Sequence, residues 1–332
     1  MQLTLISDRG IEVHPVTEAA QLLTGVDGVV WLDVPTWDAE AERVLRDVFG
    51  FHPLAIRDCA NRNQVPKVHV YPGHVFLVLH APLAGAAGHV HYIELDQFIG
   101  EHFLVTVHGP LNPAADPAAA RVEVETVLRR LESGRLRPER AFELAYAMVS
   151  ALSGRLRAFT ADLTGQTWQL EYELQDVVRR VTAEHDPEVF LDRLFRTRHG
   201  LVAVRTMAGL SREVFARMHK IEVFGPGPGQ HRIDDAVDQF DRLSAMAHGQ
   251  QEYLQGTIDF YQARTNTKVT IAAERLAVIA AVTLPVTAVS SILGMNVIVF
   301  DATQPLALAV AILIMIVVSV ILLIWCKRRG WW

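Results

Sequence analysis

An α+β domain, built as a mixed sheet with flanking helices and followed by a long stalk helix and two transmembrane α-helices, is the fold class this sequence predicts. Three observations predict it. Short β-branched runs crowd roughly the first 110 of the 332 residues. Helical apolar spacing then takes over for the middle of the chain. Two apolar stretches close it: Leu276–Leu293, eighteen residues without a charge, and Leu306–Trp325, twenty without a charge.

The strands come first. Leu3–Ile6, Val29–Val34, Lys67–Tyr71, His74–His80, Tyr92–Gly100 and Phe103–His108 read as strands, with Gly85–Gly88 as a hairpin loop. Asp38–Phe49 has helical spacing at Ala41, Val44, Leu45 and Val48. His108–Pro117 is rich in Pro, Gly and Asn and reads as a linker, so the first domain spans 1–115. A helical part over 116–230 follows. Asp116-Pro117 and Asp186-Pro187 are cap-plus-proline pairs that open helices over about 118–131 and 188–223, with a long helix over about 139–184 between them. Gly225-Pro226-Gly227-Pro228-Gly229 breaks the pattern.

From Ile233 to Leu293 the only interruption is Pro285. Ile233, Val237, Phe240, Leu243, Ala247, Gln250 (a polar exception), Leu254, Ile258 and Tyr261 recur in steps near 3.5. That period predicts a stalk helix (231–271) that packs on copies of itself; the alternative is an amphipathic helix lying on its own domain. At about 1.5 Å per residue, 233–293 would measure roughly 90 Å.

A hydrocarbon core of about 30 Å takes about 20 helical residues. Leu306–Trp325 meets that length and is apolar on every face, unlike an amphipathic surface helix. The predicted membrane part is therefore a first span over 272–296, an external loop over 297–305, a second span over 306–326 and a basic tail over 327–332. Arg264, Lys268 and Arg275 precede the first span, and Lys327, Arg328 and Arg329 follow the second. Positive flanks stay inside, which places both termini in the cytosol of a multi-pass protein of the cytoplasmic (inner) membrane. Met1–Arg9 lacks the basic start and apolar run of a signal peptide, so about 270 residues are expected on the cytosolic side.

Composition narrows the function class. A net charge of −6 argues against nucleic acid as a partner of the soluble part. Cys59 and Cys326, the two cysteines, have no redox or metal-ligand spacing. No nucleophile–base pair or phosphate loop is visible, so an enzyme is not expected. Two clusters carry possible chemistry. His89-Val90-His91 puts two imidazoles on one strand face, a Zn²⁺ half-site or an ordinary surface pair. Asp234, Asp235 and Asp238 open the stalk helix, either as a regulatory Mg²⁺ site facing a neighbouring subunit or as a solvated first turn.

Gly294-Met295-Asn296 ends the first of two C-terminal spans and is followed by a short loop and a basic tail. In that context it resembles the Gly-Met-Asn motif of the CorA superfamily of divalent metal ion transporters. Pro66-Lys67-Val68 before Val75–Leu79, Asp96–Gly100 before Leu104–Val107, and Leu284-Pro285-Val286-Thr287 resemble further family segments. The resemblance implies a funnel-shaped homopentamer in which five first spans line a pore and five second spans surround it. It implies uptake of Mg²⁺, with Co²⁺ or Ni²⁺ also carried. A ZntB-like Zn²⁺ transporter, proton-coupled or not, and a non-conducting membrane-anchored sensor are the alternatives.

The chemistry of such a mouth follows from the ion. Mg²⁺ dehydrates reluctantly. A ring of Asn296 carboxamides offers neutral oxygens to its water shell, while carboxylates would hold it longer. Helical spacing assigns the pore face to Thr270, Ala273, Leu276, Ala280, Leu284, Thr287 and Ser291. Leu276 and Leu284 are bulky enough for a dewetting gate; the alternative is that they face lipid. Two positions depart from the family pattern. The only carboxylate after the motif is Asp301, and Thr270 stands where many members have a pore Asn, with Asn266 one turn lower.

Overall fold

The computed structural model describes residues 1–25, 27–110, 113, 115–179, 187–221, 228–294 and 305–328. They fall into two compact units, Met1–Gln255 and Gly256–Trp332.

The first unit is built on a seven-stranded sheet of order β2-β1-β3-β7-β6-β5-β4. Its strands are β1 (Gln2–Ser7), β2 (Gly10–His14), β3 (Val29–Val34), β4 (Lys67–Tyr71), β5 (His74–Ala84), β6 (Val90–Ile99) and β7 (Phe103–Val107). β4 to β7 form an antiparallel meander, and β7 then lies parallel to β3 with Val30 opposite Phe103. The sheet is therefore mixed, as predicted. Central β3 is buried along its whole length, which is why Val29–Val34 reads as an unbroken apolar run.

Helices cover both faces. α1 (Ala19–Gly25), α2 (Ala39–Arg43, continuing as a π-turn over Val44–Val48) and α3 (Pro53–Ala60) pack on one. Leu22, Leu45, Ile56 and Cys59 from these helices meet Leu3, Leu32, Phe76 and Val105 from the strands in a single core. Phe51 and Phe98 stack there with ring centres 4.0 Å apart. The other face takes α5 (Ala141–Arg179) and α6 (Pro187–Met218), with α4 (Val122–Glu132) beside α5. Gly200 of α6 is a packing requirement, because a Cβ there would stand 2.8 Å from a Leu163 methyl of α5.

α7 (Pro228–Gly294) is one helix of 67 residues, about 100 Å at the usual rise. Its first two residues, Pro228 and Gly229, are the last two of the predicted Gly/Pro break, because Pro228 is tolerated in a first helical turn. Its apolar period corrects one expectation. Ile233, Phe240, Leu243, Ala247 and Leu254 are buried within the single chain. Phe240 stacks on Phe215 of α6 at 5.6 Å. Asp241 pairs with Arg212 of α6 at 2.8 Å, and Arg232 with Glu143 of α5 at 2.8 Å. This stretch spends its apolar face on the chain's own helices, so the 3.5-residue period is not an imprint of self-packing there.

In the second unit, α7 continues to Gly294 and α8 runs Pro305–Arg328. Both are long and apolar enough to cross a membrane, and their apolar stretches are almost wholly uncovered in the single chain. α7 stays helical through Pro285. Within the apolar stretches, sheltered positions form one stripe on each helix: Val278, Ala281, Val282, Pro285, Val286 and Val289 on α7, and Ala311, Met315, Ser319, Leu322, Leu323 and Cys326 on α8.

Candidate functional site

Every predicted pore residue lies off the sheltered stripe of α7. Thr270, Ala273, Leu276, Ala280, Leu284, Thr287 and Ser291 are all exposed in the single chain, Leu276 and Leu284 about two-thirds so (66% and 67%). Thr287 Oγ1 donates to the Thr283 carbonyl at 2.8 Å, and Thr270 Oγ1 to the Asn266 carbonyl at 3.0 Å. Each hydroxyl thus gives its proton to its own helix and keeps lone pairs for an outside donor. That polarity suits the water shell of a cation. Gly294 is the last described residue of α7. Met295, Asn296 and Asp301 lie outside the described residues.

The acidic start of α7 splits between two faces. Asp234 and Asp238, one turn apart, are exposed. His219 Nδ1 lies 2.9 Å from Asp234 Oδ1. Asp235 turns inward, where its Oδ2 accepts from the Tyr146 hydroxyl of α5 and from Gln239 Nε2. Burial, reinforced by the Asp235 carboxylate, pushes the Tyr146 phenol up to about 12, so it stays a donor at neutral pH. The three aspartates therefore do not converge within one chain. Among the described residues no group of three or more His, Cys, Asp or Glu is set to hold a metal ion.

The sheet hides polar clusters that the sequence reading missed. Asp33 Oδ1 accepts from Thr106 Oγ1 at 2.7 Å and lies 3.1 Å from His108 Nε2, while Trp31 Nε1 donates to Thr106 at 3.1 Å. Nearby, Glu94 accepts from the Asn63 backbone at 2.8 Å and from its carboxamide. Glu94 and His108 line a small, half-open pocket together with Arg62 and Tyr92. Asp96 is completely buried, with Glu94 and the Cys59 thiol as polar neighbours. Burial, then the Glu94 charge, raises its carboxyl well above the ordinary 3.8; burial raises Glu94 too.

A raised folded value means stability that is complete below the unfolded pKa and is lost as pH rises through the folded one. Asp96→Asn mimics the protonated carboxyl. It is expected to match the parent melting temperature near pH 4 and to exceed it increasingly toward pH 8, measured on the detergent-solubilised full chain. A parent-like pH profile would show that Asp96 is charged in the fold.

The sequence model of the family described as CorA-like Mg²⁺ transporter protein matches residues 26–328. The chain belongs to this family. The CorA assignment covers both units, so the spans and the stalk helix are parts of a transport protein rather than of an enzyme. The cobalt/magnesium transport protein CorA of Thermotoga maritima is 22% identical over 293 residues, covering 86% of this chain and 78% of that protein. Among solved structures, the complete CorA magnesium transporter of Methanocaldococcus jannaschii superposes with a TM-score of 0.79 at 15% identity, covering 100% of this chain and 99% of that one. The ZntB cytoplasmic domain of Vibrio parahaemolyticus gives 0.59 at 8% identity, over 80% of this chain and 98% of that domain. At such identities the structural matches speak for the fold. The mixed-sheet soluble domain, the long helix and the two apolar helices are those of a CorA-type divalent metal ion transporter in a membrane.

Proposed function

We propose that this chain forms a homopentameric Mg²⁺ uptake channel of the cytoplasmic membrane, also passing Co²⁺ or Ni²⁺, with both termini in the cytosol. The observation that carries the reading is the exposed face of the first span. Two apolar helices shelter one stripe each and leave the rest uncovered. α8 is apolar all round and meets lipid without cost. On α7 the uncovered face also carries Thr270, Thr287 and Ser291, hydroxyls that gain nothing from lipid. Copies of this helix around a water-filled axis would give those hydroxyls a hydrated ion to accept from, with Leu276 and Leu284 narrowing the path.

Asn296 would receive the hydrated ion at the outer mouth, between the carbonyls ending at Gly294 and the loop carboxylate Asp301. Asp234 and Asp238 would hold a regulatory Mg²⁺ against a neighbouring subunit, with Asp235 anchoring that turn through Tyr146. A ZntB-like Zn²⁺ pathway is the second reading. Thr270 at the place of a pore Asn, and no carboxylate between Asn296 and Asp301, favour it.

Purified chain in liposomes is expected to admit Mg²⁺ down its gradient without a pH gradient, and native mass spectrometry in detergent to give a pentamer. Zn²⁺ flux that requires an imposed pH gradient, with no Mg²⁺ flux, would transfer the chain to the second reading. A stable monomer or dimer would remove the axial pore.

A further inference from the structure

The fold brings a third histidine to the His89-Val90-His91 pair. β5 and β6 are joined by a tight turn in which Ala87 and Gly88 have φ of 52° and 75°. Gly85 N–H donates to the His89 carbonyl at 2.7 Å, which pins the start of β6. Gly85 also leaves room for the His91 ring, since a Cβ there would stand 2.6 Å from its Nε2. α6 lies against the same turn: a Cβ on Gly88 would fall 2.3 Å from Arg196 Cγ. One helical turn beyond Arg196, the ring of His199 comes to 6.4 Å from that of His89, which in turn is 4.8 Å from that of His91. Arg196 is paired with Asp192. Three imidazoles from segments more than a hundred residues apart thus gather at the turn end of the β5–β6 hairpin.

The spacings can be compared with what one ion would impose. With metal–nitrogen bonds of about 2.0–2.1 Å and tetrahedral angles, the centres of two ligating imidazoles stand about 5 Å apart. The His89–His91 separation already fits. His199 is about 1 Å farther from His89 than that, and the three rings as they stand do not form a metal-holding group. His89 and His199 are both exposed, so a rotamer adjustment of His199 is not opposed by core packing. Side-chain rings without an ion also have no reason to point their lone pairs at one another.

We propose that His89, His91 and His199 together bind a borderline divalent ion, Zn²⁺, Co²⁺ or Ni²⁺, with water as the fourth ligand. Imidazole ligands select these ions over Mg²⁺, which takes oxygen. The site belongs to the soluble unit and does not depend on what the spans conduct. It would join β6 to α6 and so tie the hairpin end to the helical layer when the ion is abundant.

The test is a Co²⁺ titration of the tag-free full-length chain in detergent, read by visible absorption and repeated with Zn²⁺ as competitor. Tetrahedral nitrogen ligation gives Co²⁺ intense d–d bands that octahedral oxygen ligation lacks, which separates this site from ions in the pore. The expected result is one such Co²⁺ per chain, displaced by Zn²⁺ and unaffected by excess Mg²⁺. It should be lost in His199→Ala and in the double variant His89→Ala/His91→Ala, and kept in Asn296→Ala. No tetrahedral band in the parent, or a full band in His199→Ala, overturns the proposal. Protection of the three histidines from carbethoxylation by Zn²⁺, read peptide by peptide, gives an independent check, and unprotected histidines overturn it equally.

Discussion

Asn296→Ala is expected to abolish selective Mg²⁺ flux while leaving assembly intact. The carboxamide is the only polar side chain that Gly294-Met295-Asn296 supplies at the mouth. A hydrated Mg²⁺ gives up its shell reluctantly, so a mouth that selects it must accept hydrogen bonds from that shell. Alanine removes the acceptor oxygen from every subunit at once and leaves the ion to backbone carbonyls and the Asp301 carboxylate. A loss of tenfold or more in initial Mg²⁺ uptake is the expected scale, equivalent to about 1.4 kcal/mol or more at the barrier. Asn296→Gln keeps the group but displaces it by one methylene, and an intermediate rate is expected. The measurement is flux into liposomes at matched protein abundance, with native mass spectrometry to verify the oligomer. Parent rates in the alanine variant would take Asn296 out of the mechanism and shift selection to Thr287, Ser291 or Asp301.

Some parts of this molecule were legible in one dimension because one local term dominates there. β3 was read with its exact bounds, since both of its faces are buried and alternation vanishes. The spans were legible because nothing soluble can absorb Leu306–Trp325, and the β5–β6 turn because Gly85 and Gly88 mark it. Other parts depend on partners far along the chain. β2 is an exposed edge strand without a buried face to pattern it. Asp33 meets Thr106 and His108 more than seventy residues away, Asp235 meets Tyr146 across eighty-nine, and His199 reaches His89 through the packing of α6. The stalk period was visible but ambiguous. A spacing near 3.5 says that one face is buried and is silent on whether the cover is another copy or, as between 233 and 254, the chain's own α5 and α6.

Replacing Asp234 and Asp238 together by Asn is expected to raise transport at high internal Mg²⁺. The pair sits exposed, one turn apart, while Asp235 is committed to Tyr146 and Gln239. Two carboxylates on an outward face repel each other, and a cation shared with a neighbouring subunit relieves that repulsion and holds the interface. Internal Mg²⁺ would then close the path through which it entered. An ion at Asp234 must displace His219 from its 2.9 Å contact. That competition weakens binding and suits a site that fills only when internal Mg²⁺ is plentiful. The double variant should lose about fivefold or more of the inhibition by internal Mg²⁺, the lower end of ordinary coupling between sites. It should also lose the Mg²⁺ protection of α7 from protease. Asp235→Asn separates sensing from folding: it breaks the Tyr146 link, so a lower melting temperature with Mg²⁺ inhibition retained is expected. Parent-like inhibition and protection in the Asp234/Asp238 double variant would place the sensor elsewhere. That outcome is also what a ZntB-like pathway without internal Mg²⁺ feedback requires, so the same pair of variants bears on the transported ion as well as on the gate.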